Sequence, residues 1–188
     1  MSMRPNRSSW RLKMISDREQ HPRRSVHADA SAWGEMLAAA YRDIADRSMR
    51  DLPIFNEALS VEAIGFRARE GRVVGMMVTP WFMNVVTRMR DGTSQSSPGT
   101  NLRLRLPAGD IEFTVSELAP VGSIASYSLF SPMFEFEDMA SARATAEAVL
   151  AALMSPANRA ASHGPDAPNI TPIDRRTFLR GVQTERRA

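Results

Sequence analysis

The chain has 188 residues, with 24 lysines and arginines against 21 aspartates and glutamates, three histidines and no cysteine. That length sets one domain with a core of its own, and the lack of cysteine excludes disulfides, thiolate nucleophiles and sulfur-ligated zinc or iron within the chain. The formal net charge of +3 conceals an asymmetry: basic residues crowd Met1–Ala28 and Thr171–Ala188, and the middle carries about −5.

An acidic body argues against nucleic acid as the main partner and suits a cationic polypeptide. Residues 1–29 mix Arg, Ser, Pro and His without helical or strand period, which predicts a disordered basic arm. Arg23-Arg24 is followed by SVHADASAWGEML, which has no apolar core, so this is not read as an export signal. No run approaches membrane-spanning length, and the expected location is cytoplasmic.

From Ser31 to Met49, Trp33, Met36, Leu37, Ala40, Tyr41, Ile44 and Ala45 recur at intervals of three and four, predicting an amphipathic helix. Leu52–Leu59 reads as an ordered connection, with Pro53 and Asn56 as turn formers and Ile54, Phe55 and Leu59 facing the core. Ser60–Arg69 alternates Ile64, Phe66 and Ala68 against Gly65, Arg67 and Arg69, a half-buried strand, and Glu70-Gly71 turns it into a second strand, Val73–Val78. That second run is apolar throughout and reads as central. Pro80 ends it, delivering Trp81, Phe82 and Met83 together.

Between Asn84 and Thr100, the stretch DGTSQSSPGT predicts a mobile surface loop. Leu102, Leu104 and Leu106 alternate with Arg103 and Arg105, and Pro107-Ala108-Gly109 turns this strand into Ile111, Phe113 and Val115. Ile124–Phe130 is the fifth strand, ending in SPMFEF, and the alanine-rich Glu137–Met154 is the second helix. Beyond Ser155-Pro156 the composition is that of a linker. The expectation is a single α+β domain over residues 30–155, a mostly antiparallel five-stranded sheet with two main helices packed on one face. Disordered basic arms flank it at residues 1–29 and 156–188.

Chemistry-bearing motifs are sparse. His21, His27 and His163 lie in the arms, no glycine-rich phosphate loop joins a strand to a helix, and Ser126, Ser128 and Ser131 have no histidine partner. The chain is therefore read as a non-enzyme with no cofactor and no metal. Two strand exits echo one another: Thr79-Pro80-Trp81-Phe82-Met83 and Phe130-Ser131-Pro132-Met133-Phe134 each stop at proline and then present aromatics and methionine. Such residues close a core or form an adaptable binding lip. If the two strands run the same way, the ends make one rim, with Glu135, Glu137 and Asp138 beside it. The tail holds Asp174-Arg175-Arg176-Thr177-Phe178-Leu179-Arg180, which resembles the twin-arginine consensus of exported proteins but lacks an apolar segment after it.

The blocks DLPIFNEALSVEAIGF, VGMMVTPWFMN, LRLRLPAG with the following EF, and YSLFSPMFEFEDMASARATAEAVL resemble the [NiFe]-hydrogenase assembly chaperone family of the HybE/HupJ type. The likeness spans about Ala38 to Leu153 and the RRTFLRG tail, in the family's order. It implies a non-catalytic cytoplasmic protein that binds hydrogenase precursors. The expected client is the small subunit, with its twin-arginine signal guarded until cofactor insertion and assembly are complete; the large subunit and other maturation proteins are further expected partners. Some relatives carry a rubredoxin domain, whose iron site this cysteine-free chain cannot hold, and Ser126-Tyr127 stands where relatives often place cysteine before SLFSPM. The alternative is a general interaction adaptor whose basic arms touch nucleic acid or anionic membrane.

Overall fold

Helix formation follows the apolar spacing. The computed structural model describes residues 28–89 and 97–156; helix α1 occupies residues 28–44 and continues as a π-helical turn, Ala45–Met49. Helix α2, Met139–Leu153, is capped by Asp138, whose side chain accepts from the Ser141 backbone N–H at 2.7 Å. The basic arm expected at residues 1–29 lies outside the described residues, apart from Ala28 and Asp29, which open α1. The tail from residue 157 also lies outside them. No described helix is long and apolar enough to cross a membrane.

The sheet has six strands where five were expected: β1 Glu62–Arg69, β2 Arg72–Val78, β3 Met83–Arg88, β4 Asn101–Leu106, β5 Gly109–Leu118 and β6 Gly122–Phe130. They lie in the order β1-β2-β3-β6-β5-β4, each pair antiparallel. The strand missed is β3. It occupies part of the stretch read as loop, because Asn84 and Thr87 interrupt its apolar run and no glycine or asparagine marks the turn before it. Thr79 closes that turn instead: its N–H donates to the Phe82 carbonyl at 2.8 Å, and its Oγ1 accepts from the Phe82 N–H at 2.9 Å. Pro80 therefore ends β2 as expected, but the chain reverses at once into β3 and pairs Met83 with Val78. The β1–β2 turn is as read, Glu70 and Gly71 both having positive φ (51° and 74°), the form that suits strand twist.

The helices cover opposite faces of the sheet, not one. Alternation along β2 sends Val74, Met76 and Val78 to a cluster with Ala142, Ala146, Val149, Leu150 and Leu153 of α2. It sends Met77 to a second cluster with Trp33, Leu37 and Ala38 of α1. A hydrophobic run on both faces is what a central strand needs, and it cannot be assigned to a one-sided sheet.

Strand β1 also departs from simple alternation. Its register shifts between Ile64 and Arg67, so Ile64 packs with α2 and Phe66 with α1. Gly65 permits this: it sits at φ 62°, and a Cβ there would lie 2.5 Å from Leu150 Cδ2. One turn further along α2, the Leu153 carbonyl accepts from Ala108 N–H at 3.1 Å, in the β4–β5 turn. The two sides of a flat six-stranded sheet would stand about 24 Å apart. Contact of both with the same end of one helix means that the sheet curls around α2.

Candidate functional site at one end of the sheet

Because β3 runs antiparallel to both neighbours, β2 and β6 point the same way and their ends emerge together. Met83 pairs with Phe130, and Ser131 Oγ donates to the Trp81 carbonyl at 3.3 Å. The two strand exits thus meet, as their shared pattern suggested.

Burial separates the rim residues into two groups. Met83 and Met133 are 0% exposed and Trp81 7%, so these three close the end of the core. Phe82 and Phe130 are partly buried, while Pro132, Glu135, Glu137 and Asp138 are exposed. Phe134 is 60% exposed, the most open large apolar side chain among the described residues. The cause is a tight turn: Phe136 N–H donates to the Met133 carbonyl at 3.2 Å, burying Met133 and Phe136 as two anchors and leaving Phe134 and Glu135 at the tip. Phe130 and Phe136 pack edge to face at 5.1 Å beneath it.

Asn56, read from the sequence only as a turn former, ties three segments together. Its Nδ2 donates to the carbonyls of Met133 at 3.0 Å and Phe136 at 2.9 Å. Its backbone N–H donates to the Pro80 carbonyl at 3.0 Å, and its Oδ1 accepts from Ala58 N–H at 3.0 Å. The side chain thus uses both ends of its amide. An asparagine in a proline-containing connection signals a turn, and nothing in the sequence shows that its partners lie some eighty residues away.

Three carboxylates follow Phe134 within four residues. Asp138 is committed in part to α2: the Ser141 backbone N–H, and then its hydroxyl, hold the carboxyl below the usual range, so it stays charged. Glu135 and Glu137 are exposed and form no ion pair among the described residues. Together they place negative charge beside an exposed ring, an arrangement suited to a ligand with both cationic and apolar groups.

The hairpin tip rests on an aromatic cluster. Trp81 stacks on Phe55 at 6.1 Å and meets Phe82 edge-on at 5.6 Å, while Tyr41 of α1 meets Phe82 at 5.2 Å. Beside it opens a cleft of about 530 Å³ lined by Arg42, Asp46, Arg50, Phe55, Glu57 and Pro80, among others. Its charges are largely paired, Arg50 with Asp46 at 2.9 Å and Arg42 with Glu35 at 3.6 Å. No group of three histidine, cysteine, aspartate or glutamate residues gathers as a metal site would among the described residues. Arg175, Arg176, Phe178, Leu179 and Arg180 lie outside them.

Burial pushes the Tyr41 phenol up to about 12. The folded chain therefore keeps this proton after the unfolded chain, titrating near 10, has lost it. The contribution to stability is complete below about pH 10 and is lost as pH rises toward 12, amounting to at most about 2–3 kcal/mol. Urea midpoints measured between about pH 9 and 11.5 should fall with this profile, and Tyr41→Phe should flatten it.

Comparison with known proteins is consistent across sequence and structure. A family model described as [NiFe]-hydrogenase assembly, chaperone, HybE matches residues 32–181. The hydrogenase expression/formation protein HupJ of Bradyrhizobium diazoefficiens is 61% identical over 160 residues, covering 85% of this chain and 94% of that protein. The probable rubredoxin HupJ of Rhodobacter capsulatus is 40% identical over 137 residues, 72% of this chain but 48% of its own length. The solution structure of HybE from Escherichia coli superposes with a TM-score of 0.52 at 25% identity, covering 74% of this chain and 85% of that one.

Proposed function

The chain belongs to the [NiFe]-hydrogenase assembly chaperone family of the HybE type, and from that premise we propose that it holds the precursor of a hydrogenase small subunit by its twin-arginine signal. An assembly chaperone works by binding, and the Phe134 turn supplies a surface for it. Holding the signal would delay export until cofactor insertion and pairing with the large subunit are complete, which places the protein in the cytoplasm. The observation that carries this reading is the 60% exposed Phe134, followed by the exposed carboxylates of Glu135, Glu137 and Asp138, on a turn anchored by Asn56. The ring would take the apolar part of the signal, and the carboxylates its paired arginines through charge-assisted hydrogen bonds.

Buried Met83, Met133 and Trp81 serve this site as its floor. Phe82, Phe130 and Pro132 border the open part. Fluorescence anisotropy of a labelled small-subunit signal peptide tests the assignment. Burying the Phe134 ring is worth roughly 1.5–3 kcal/mol, so Phe134→Ser should weaken binding by about 10- to 100-fold. Glu135→Gln with Glu137→Gln should weaken it further and reduce the preference for an Arg-Arg peptide over its Lys-Lys counterpart. Unchanged affinity in both variants would remove the turn from the client site.

A further inference from the structure

We propose that the chain's own segment Arg175–Arg180 docks on the Phe134 turn and occupies it until a client displaces it. This rests on the reading of that turn as the client site. The chemistry matches on both sides: the segment carries Phe178 and Leu179 among Arg175, Arg176 and Arg180, and the turn offers an exposed ring among carboxylates. The body from Asp29 to Ile170 carries about −5, which favours approach of the basic tail to it.

The family match supplies an independent reason to give the tail a role. It runs through residue 181 and so does not stop where α2 ends at Leu153. The segment belongs to the stretch shared with the family model rather than to an appended extension.

Reach is favourable as well. The turn lies beside Asp138, the N-cap of α2, and the 15 residues of the helix carry the chain about 22 Å away from it. Eighteen residues separate Pro156 from Arg175; a chain of that length with even glycine-rich flexibility would span about 21–25 Å root-mean-square, enough to return to the turn. A tether whose mean span matches the distance between its ends and the site gives the highest effective concentration, of order mM. A tail that bound with an affinity of roughly a few hundred μM would then occupy the site most of the time and still yield to a tighter ligand.

The absence of cysteine makes the test clean. A nitroxide on Val182→Cys in the full chain should broaden the amide resonances of residues 132–138, and Arg175→Ala/Arg176→Ala/Phe178→Ala in the same chain should restore them. Broadening centred elsewhere, or unaffected by the triple substitution, overturns the proposal. So does broadening that arises only between molecules, seen on mixing spin-labelled with isotope-labelled chains. In a second measurement the triple variant without label should bind the signal peptide roughly 3–10-fold more tightly than the unmodified chain; equal affinities overturn competition at one site. If broadening is observed and neither chain binds the peptide, tail docking stands and the signal-guarding reading is the one that fails.

Discussion

Asn56→Asp is expected to lower the stability of the folded chain by about 3 kcal/mol, and to weaken client binding beyond what the loss of any exposed contact would. The substitution keeps the shape of the side chain and the oxygen that accepts from Ala58 N–H. It replaces the amide nitrogen, which donates to the Met133 and Phe136 carbonyls, with a carboxylate oxygen. Two hydrogen bonds of about 1 kcal/mol each are lost, and like partial charges then face one another in a partly desolvated place. Asn56→Ala removes the bonds without the repulsion and should cost about 2 kcal/mol. The difference between the two variants isolates electrostatics from packing. Because protonation restores a donor, the aspartate variant should regain part of its loss at acid pH while the alanine variant does not. Urea midpoints at neutral and acid pH give the comparison. Should Asp and Ala behave alike at both, the amide would be a spacer and not the anchor of the Phe134 turn.

That anchoring role marks where sequence reading stops. Local signals were legible: the spacing of Trp33, Leu37 and Tyr41, the alternation of Leu102, Leu104 and Leu106, and the alanine-rich α2 each depend on near neighbours along the chain. Even the meeting of the two strand exits could be read, since the same Pro-then-aromatic pattern ends both β2 and β6. The strand β3 was not legible, because it is short and is entered through a turn closed by a threonine hydroxyl. Nor was the bulge that turns Phe66 toward α1, because Gly65 in an otherwise alternating strand reads as a weak position rather than a change of face.

The candidate site divides along the same line. Its residue types were visible, but its division into a floor and an exposed tip was not. Met83, Met133 and Trp81 look equivalent to Phe134 in composition, and only the turn from Met133 to Phe136 decides which ring faces water. The twin-arginine-like tail was visible as a motif, and the family match, which runs through residue 181, takes it in.

The other large effect expected lies where α1 meets the sheet. Phe66 is held between two glycines: a Cβ on Gly75 would stand 2.4 Å from its ring, and one on Gly34 2.7 Å. The ring also meets Trp33 edge-on at 5.6 Å and is buried, which restricts its movement. Gly75→Val sets two effects against each other. Valine suits a strand better than glycine by as much as about 1 kcal/mol. Overpacking against a trapped ring costs typically about 1–3 kcal/mol, toward the upper end where relaxation is restricted, as it is here. Packing wins, and the net loss should be about 2 kcal/mol, with Gly75→Ala intermediate. Shrinking the ring supplies the control. Phe66→Leu alone destabilises by leaving space, but combined with Gly75→Ala it should cost less than the two changes added separately, by about 1–2 kcal/mol. Chemical unfolding of the two single variants and the double variant closes the cycle. Strict additivity would mean that Gly75 is required for its backbone and not for the room it leaves Phe66.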